Sequence, residues 1–189
     1  LDPMATGVLP VFVGRATRAV EFFEHAEKTY IATLRLGITT DTEDITGTVL
    51  TECNEIPDED AVQAAVRCFI GEIEQIPPMY SAIKRDGKRM YQLARKGETV
   101  ELEARKCRVD DVRFISCTGE NRYKIEVDCG KGVYIRTICH DIGQALGCGA
   151  HMATLERVSA GIFKIENALT REQIDELAQA GTLEEALLP

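Results

Sequence analysis

The chain lacks several patterns that mark common classes of protein. No run of about 18 apolar residues occurs, so no segment reaches the length of a membrane-spanning helix. The seven cysteines are an odd number without a C-x-x-C spacing, and the three histidines form no H-E-x-x-H motif, which argues against a disulfide framework and a zinc site. The first residues do not have the layout of a secretory signal peptide. These absences favour a soluble protein of a reducing cytoplasm.

Positive charge is also scarce, but it is concentrated in one stretch. The formal net charge of −9 argues against a nucleic-acid partner if the charge is spread evenly, because phosphate binding needs a positive surface. Residues 81–108, however, hold nine basic and four acidic side chains, a local charge of +5 that leaves −14 for the rest. Residues 41–74 hold ten acids and one arginine. Such segregation suits a solvated charged face or a nucleic-acid contact, and alone it identifies no partner.

Length and hydrophobic patterning predict a mixed α/β domain. With 189 residues, 44% of them hydrophobic, the chain can bury a core of its own. The patterns predict a buried strand over residues 8–13, a helix over residues 15–27 and a strand over residues 28–36. Strict alternation over residues 123–129 predicts a half-buried antiparallel strand. A short helix over residues 87–96 is predicted within the basic stretch.

Few side chains are candidates for chemistry. The chain opens with LDPMATG, in which Asp2 is the only chemically reactive residue, and Pro3 biases its backbone toward extended geometry. Tyr134 and Arg136 follow the glycines of GKG, where a strand gives way to a mostly buried helix, and sites are commonly built at such junctions. A buried guanidinium needs a carboxylate or phosphate partner. The residues alone leave open an ordinary turn at Asp2, a surface ion pair at Arg136 and a core position for Tyr30.

Five blocks of sequence carry a resemblance to a known family. In chain order they read LDPMATGVLPVFVGRATR, KTYIATLRLGITTDTEDITGTV, PPMYSAIKRDGKRMYQLARKGE, VDCGKGVYIRTICHDIG and HMATLERVSAGIF. In this order, and over nearly the whole chain, they resemble the TruB-type tRNA pseudouridine synthases. The third block is more similar to the stand-alone bacterial enzymes than to the guide-RNA-dependent relatives.

The resemblance implies a fold, a reaction and a set of site residues. The fold is α/β (α+β), a mixed, largely antiparallel sheet flanked by helices, with a protruding basic thumb at about residues 77–106. The reaction converts a uridine in the T arm of tRNA (position 55) to pseudouridine, without metal or cofactor, and Asp2 is the implied catalytic aspartate. The residues implied to bind the base are Tyr30, Tyr134, Arg136 and Leu155, with Arg136 pairing with Asp2. In the basic stretch, we expect the RNA backbone to be bound by Lys84, Arg85, Lys88 and Arg89.

The implied partner is the T-arm stem-loop of tRNA, bound by a cytoplasmic monomer that contacts no membrane. Two alternatives remain open at this stage. One is a non-catalytic RNA-binding or tRNA-folding module on the same scaffold, and the other is a guide-RNA-dependent rRNA pseudouridine synthase. The family's segment before LDP and its C-terminal RNA-binding domain are not recognisable here. We therefore expect a fragment covering most of a catalytic core, over residues 1–189, with poor activity on its own.

Overall fold

The computed structural model describes residues 2–78, 84–85, 88–90 and 102–187. In chain order, the strands are β1 (Thr6–Gly7), β2 (Lys28–Leu36), β3 (Ile38–Thr40), β4 (Val49–Glu52), β5 (Gly71–Gln75), β6 (Lys84–Arg85), β7 (Lys88–Arg89), β8 (Arg105–Gly119), β9 (Arg122–Cys129), β10 (Ala150–Ala160) and β11 (Phe163–Lys164). The α-helices of the described residues are α1 (Val20–Phe23), α2 (Glu59–Arg67), α3 (Ile135–Ala145) and α4 (Arg171–Ala180). Short 3-10 helices lie at Gly14–Ala19, Ile165–Asn167 and Leu183–Ala186.

One sheet organises the described residues. Its strand order is β1-β10-β2-β9-β8-β5, and β11 pairs with β10 beside this path. All of its pairings are antiparallel except that of β1 with β10, which is parallel. Two further hairpins, β3–β4 and β6–β7, lie outside this sheet. The predicted fold, a mixed and largely antiparallel sheet with helices, is confirmed.

The two faces of the sheet differ in polarity because side chains alternate along each strand. On β9, Tyr123, Ile125, Val127 and Cys129 are buried while the residues between them are half-buried, as the alternation predicted. Helices α2 and α3 cover this apolar face, and four of their large apolar side chains have no exposed surface. These side chains are Val62, Val66, Ile138 and Ile142.

The strand predicted over residues 8–13 is wrong. Strand β1 holds only two residues before this range, and although Val8 is buried, Val11 is 75% and Val13 62% exposed. Pro10 explains part of the difference, because proline has no N–H to donate to a neighbouring strand. The apolar run was therefore a poor guide to where the segment leaves the sheet.

The helix predicted over residues 15–27 is only partly present. The segment forms a 3-10 helix and the four-residue helix α1, and no residue of either is buried. Phe23 instead packs against the rings of Phe12 and Phe163, with centroid distances of 5.2 Å in both cases. The segment is held by this aromatic cluster rather than by a continuous apolar stripe.

Two described residues of the helix predicted over residues 87–96, Lys88 and Arg89, lie in a strand instead. These residues form β7, which pairs antiparallel with β6. Residues 91–101 lie outside the described residues. The thumb predicted over residues 77–106 therefore lies largely outside them too.

Candidate functional site

The segment that carries Asp2 is attached to the edge of the sheet. Val8 N donates to Arg157 O, and Arg157 Nε donates back to Val8 O, both at 2.8 Å. Gly7, the strand partner of Arg157, has a φ of +101°, and a Cβ at this position would lie 2.2 Å from the carbonyl oxygen of Arg157. Only glycine fits this approach. A turn closed by Ala5 N and Asp2 O, at 2.9 Å, then places Asp2.

Arg136 holds the carboxylate of Asp2. It is the second residue of α3 and its side chain is only 5% exposed. Its Nη2 donates to Asp2 Oδ1 at 2.9 Å, and its Nη1 donates to the carbonyl oxygen of Thr42 at 3.2 Å. The contact expected between Arg136 and Asp2 is thus present. The Asp2 side chain stays 24% exposed, so a fixed carboxylate remains open on one side.

A second carboxylate lies beside the same guanidinium. Asp44 Oδ2 is 3.7 Å from Arg136 Nη1, and the Asp44 side chain is 7% exposed. Its other oxygen accepts hydrogen bonds from Thr42 Oγ1 at 2.8 Å, Thr46 N at 2.9 Å and Thr46 Oγ1 at 2.5 Å. Because Oδ1 accepts these bonds from Thr42 and Thr46, Oδ2 is the oxygen that faces Arg136. Asp44 is not among the predicted site residues, although it lies in the acidic turn TDTEDITG of the second block.

Tyr30 and Leu155 lie on the apolar face of the sheet, where both pack with the hydrophobic core. Tyr30 is opposite Arg157 of β10 and Val127 of β9, and Leu155 is opposite Ala32, two residues along β2 from Tyr30. Burial raises the pKa of the Tyr30 phenol, and the hydrogen bond and the charge of Arg157 oppose this rise. The ring is therefore neutral at ordinary pH.

Gln75 fixes the start of the helix that carries Arg136. Its Oε1 accepts from Tyr134 N at 2.9 Å, its Nε2 donates to Tyr134 O at 3.1 Å, and the residue is 2% exposed. Gln75 ends β5, an edge strand that the hydrophobic pattern did not predict because its residues alternate Glu, Ile, Glu and Gln after a glycine. A side chain from the far edge of the sheet therefore positions Tyr134.

The structure brings Asp2 and Arg136 into contact and places Tyr30, Tyr134 and Leu155 on the elements around them. The roles of these residues remain predictions. The predicted backbone-binding residues form the β6–β7 hairpin, with Lys84 opposite Arg89 and Arg85 opposite Lys88, but their side chains lie outside the described part of the chain. Among the described residues, no group of three His, Cys, Asp or Glu side chains is arranged to hold a metal ion. None of the helices described is long and apolar enough to cross a membrane.

The chemistry open to this arrangement follows from the geometry of Asp2. A carboxylate fixed by a buried arginine and partly open to solvent can act as a nucleophile or as a base on a group that lies against it. The neutral ring of Tyr30, on β2, offers a flat apolar surface. Together these groups suit a planar substrate whose reacting atom faces Asp2.

The family models that match this chain both describe pseudouridylate synthases of the TruB type. Residues 1–135 match the family model described as TruB family pseudouridylate synthase, N terminal domain, and residues 136–189 match the tRNA pseudouridylate synthase B C-terminal domain. A protein of Chromohalobacter salexigens named tRNA pseudouridine synthase B is 47% identical over 100% of this chain and 61% of its own length. One of the same name from Burkholderia mallei is 46% identical over 95% of this chain and 59% of its own.

Two solved structures share the fold. A chain in the crystal structure of a Cbf5-Nop10-Gar1 complex matches with a TM-score of 0.75 and 30% identity, over 100% of this chain and 49% of that one. A chain of an H/ACA RNP bound to a substrate RNA containing 2'-deoxyuridine matches with a TM-score of 0.72 and 27% identity, over 100% and 48%. The chain spans about three fifths of the length of the curated relatives described above.

Proposed function

The chain belongs to the TruB family of pseudouridylate synthases, and we propose that its protein converts a specific uridine in the T arm of tRNA to pseudouridine. The observation that carries this proposal is the pair of Asp2 and Arg136, at 2.9 Å, with Asp2 still partly exposed. The name tRNA pseudouridine synthase B, given to relatives at 46–47% identity, supports tRNA as the substrate.

The reaction detaches uracil from its sugar, turns the base and rejoins it through a ring carbon. Asp2 is the essential carboxylate in this proposal. Whether it attacks the sugar or removes a sugar proton, it must present an oxygen in a fixed direction, and its contact with Arg136 supports this condition. The chemistry needs no electron acceptor and no activated water, so neither cofactor nor metal is proposed.

The remaining site residues would hold the base. We propose that Tyr30 stacks on the target uracil and that Tyr134 and Leu155 line its pocket. A base must leave its stack to enter such a pocket, at a cost of roughly a few kcal/mol. Stacking in the pocket and phosphate contacts by the β6–β7 hairpin would offset that cost. Since every one of these residues comes from one chain, a monomer suffices for the proposed reaction. We propose the cytoplasm as its compartment.

Two alternatives are less well supported. A non-catalytic RNA-binding or tRNA-folding module has no need of a buried arginine that fixes a half-open carboxylate, so the Asp2–Arg136 pair favours an enzyme. A guide-RNA-dependent rRNA synthase is disfavoured by the higher identity to the tRNA pseudouridine synthase B relatives, 47%, than to the chain of the Cbf5 complex, 30%.

The direct test uses the complete protein and unmodified RNA. A synthetic T-arm stem-loop is incubated with the protein, and pseudouridine is mapped by carbodiimide modification and primer extension. We expect pseudouridine at one T-arm position without any guide RNA. A stem-loop with cytidine at that position is the matched control. Product on rRNA only, and only with a guide RNA, would replace this proposal with the guide-dependent one, and RNA binding without product would favour the binding module.

A further inference from the structure

Glu43 occupies an unusual position beside the site. Its φ is +61°, a left-handed conformation that residues with a Cβ seldom adopt. Backbone hydrogen bonds on both sides hold it there: Met152 N donates to Glu43 O, and Ile45 N donates to Met152 O, both at 2.9 Å. The turn that contains Glu43 is therefore attached to β10.

The side chain of Glu43 is hydrogen-bonded to helix α3. Its Oε2 accepts a hydrogen bond from Thr137 Oγ1 at 2.8 Å, and Thr137 is 3% exposed. Thr137 directly follows Arg136, and Glu43 lies between Thr42 and Asp44, which both approach the Arg136 guanidinium. Two adjacent residues of α3 thus contact three adjacent residues of the turn.

We propose that Glu43 is a positioning residue that sets the direction of the Arg136 guanidinium through its hydrogen bond with Thr137. This inference rests on the proposed function. The Glu43–Thr137 bond attaches the turn to α3 beside the contacts of Arg136, so its removal allows the turn and the helix to shift against each other. A displacement of about 1 Å of a group that orients the reacting carboxylate can cost on the order of a hundredfold in rate.

The charge state of Glu43 gives an independent readout. Burial raises the pKa of its carboxyl above the ordinary value of 4.5. The hydrogen bond from Thr137 and the charges of His140 and Arg136 oppose this shift, and Asp141 adds to it; β10 faces the turn with the backbone of Met152. Because the folded-state pKa of Glu43 is raised, its protonated carboxyl favours the folded state. This contribution to stability is fully present below the unfolded-state pKa and is lost as pH rises through the folded-state pKa.

The test compares Glu43→Ala, Glu43→Gln and Thr137→Val in the complete protein, using single-turnover rates on the T-arm stem-loop. Glu43→Ala removes the acceptor of the hydrogen bond and Thr137→Val removes its donor, whereas Glu43→Gln keeps an acceptor oxygen. We expect Glu43→Ala and Thr137→Val to lower the rate by about tenfold or more, with RNA affinity within about twofold of wild type. Glu43→Gln should stay within about threefold, and the double variant Glu43→Ala/Thr137→Val should be no slower than the slower single variant.

Glu120→Ala is the matched control. Glu120 also has a positive φ, 49°, but lies in the exposed turn between β8 and β9, so its removal should leave the rate unchanged. A wild-type rate for Thr137→Val, or a Gln variant as slow as the Ala variant, would overturn the inference. If Glu43→Ala does not fold, Thr137→Val, which keeps the shape of the side chain, decides alone.

Thermal unfolding against pH completes the test without any activity measurement. As pH rises from about 4.5, the melting temperature of wild type should fall relative to that of Glu43→Gln, which cannot ionise. Parallel curves would contradict the raised pKa of the Glu43 carboxyl. Failure of the proposed function is recognised separately, since it shows as a wild-type protein without product or as retained turnover in Asp2→Asn. Failure of this inference alone leaves wild type active and Asp2→Asn inactive.

Discussion

Arg136 and Arg113 both lie among carboxylates, but in opposite surroundings. Arg113 lies on β8 with its side chain 51% exposed, and it contacts Asp111, Glu126 and Asp128, the last at 3.0 Å. Arg136 contacts Asp2 and lies near Asp44, and its side chain is only 5% exposed. A cluster of ion pairs therefore does not by itself distinguish the candidate site from an ordinary charged surface. What distinguishes it is a buried arginine whose partner Asp2 remains partly open.

The energetic difference follows from the solvent. An exposed ion pair contributes about 0–1 kcal/mol, because water screens both charges and the side chains lose freedom. Removal of one partner from a buried pair costs about 3–5 kcal/mol, because the other charge is left without compensation. The Arg136 cluster should therefore be sensitive to each of its members, and the Arg113 cluster should not.

The largest effect is expected for Asp2→Asn. The substitution keeps the size of the side chain and an oxygen that can accept from Arg136, but removes the ionised oxygen. Single-turnover assays on the T-arm stem-loop should show no pseudouridine, while gel-shift assays show binding close to wild type. Measurable turnover in this variant would remove Asp2 from the mechanism.

Arg136→Met should rank second. It removes the guanidinium but keeps much of its apolar length, and it leaves Asp44 buried without its cationic neighbour. We expect a loss of about 3–5 kcal/mol in the free energy of unfolding, together with at least a hundredfold drop in turnover at a temperature where the variant is folded. Urea unfolding and single-turnover rates measure the two effects. Stability and rate near wild type would mean that the buried pair is not essential.

Asp44→Asn should have an intermediate effect. The amide can keep the bonds to Thr42 and Thr46, but it removes the charge that faces Arg136 at 3.7 Å. We expect a rate about tenfold to a hundredfold lower, with unchanged RNA affinity. Thr46→Val is a useful companion, because it removes the hydroxyl that orients Asp44 and should lower the rate less. An Asp44→Asn rate equal to wild type would show that the charge of Asp44 is not needed to position Arg136.

Replacement of the basic side chains tests binding apart from chemistry. Changing Lys84, Arg85, Lys88 and Arg89 to Gln should weaken RNA binding without slowing the bound complex, because phosphate contacts position a substrate and the pocket selects the base. The slope of log affinity against log salt should flatten by roughly 0.7–0.9 for each phosphate interaction that the substitutions remove. Fluorescence titration across a salt series measures the slope. If the slope does not change, the RNA contact lies elsewhere.

The smallest effect is expected for Arg113→Met. Three carboxylates surround Arg113, but all four side chains are at least 25% exposed. The free energy of unfolding should change by about 1 kcal/mol or less, and turnover should match wild type. Urea unfolding of Arg113→Met and Arg136→Met under the same conditions compares their losses of stability directly. A loss as large as that of Arg136→Met would contradict the distinction drawn between the two clusters.

Local pattern was reliable where one rule dominated a segment. The strand over residues 28–36 and the alternation over residues 123–129 appear as β2 and β9, because a sheet with one apolar face demands period-two burial. The pattern failed over residues 8–13 and 15–27, where Phe12 and Phe23 pack in an aromatic cluster and Val8 makes a backbone contact with the edge of the sheet. Apolar composition alone does not tell which neighbour covers a residue.

The sequence by itself determined the family blocks, the reactive carboxylate in the first motif and the need of Arg136 for an anionic partner. Only the tertiary structure decided that Asp44, Gln75 and Glu43 lie around the start of α3, because Gln75 and Glu43 are 59 and 94 positions away along the chain from the residues that they hold. Spacing within a turn cannot tell which of several acids faces inward. That choice depends on how β10 fixes the turn and how α3 packs across it.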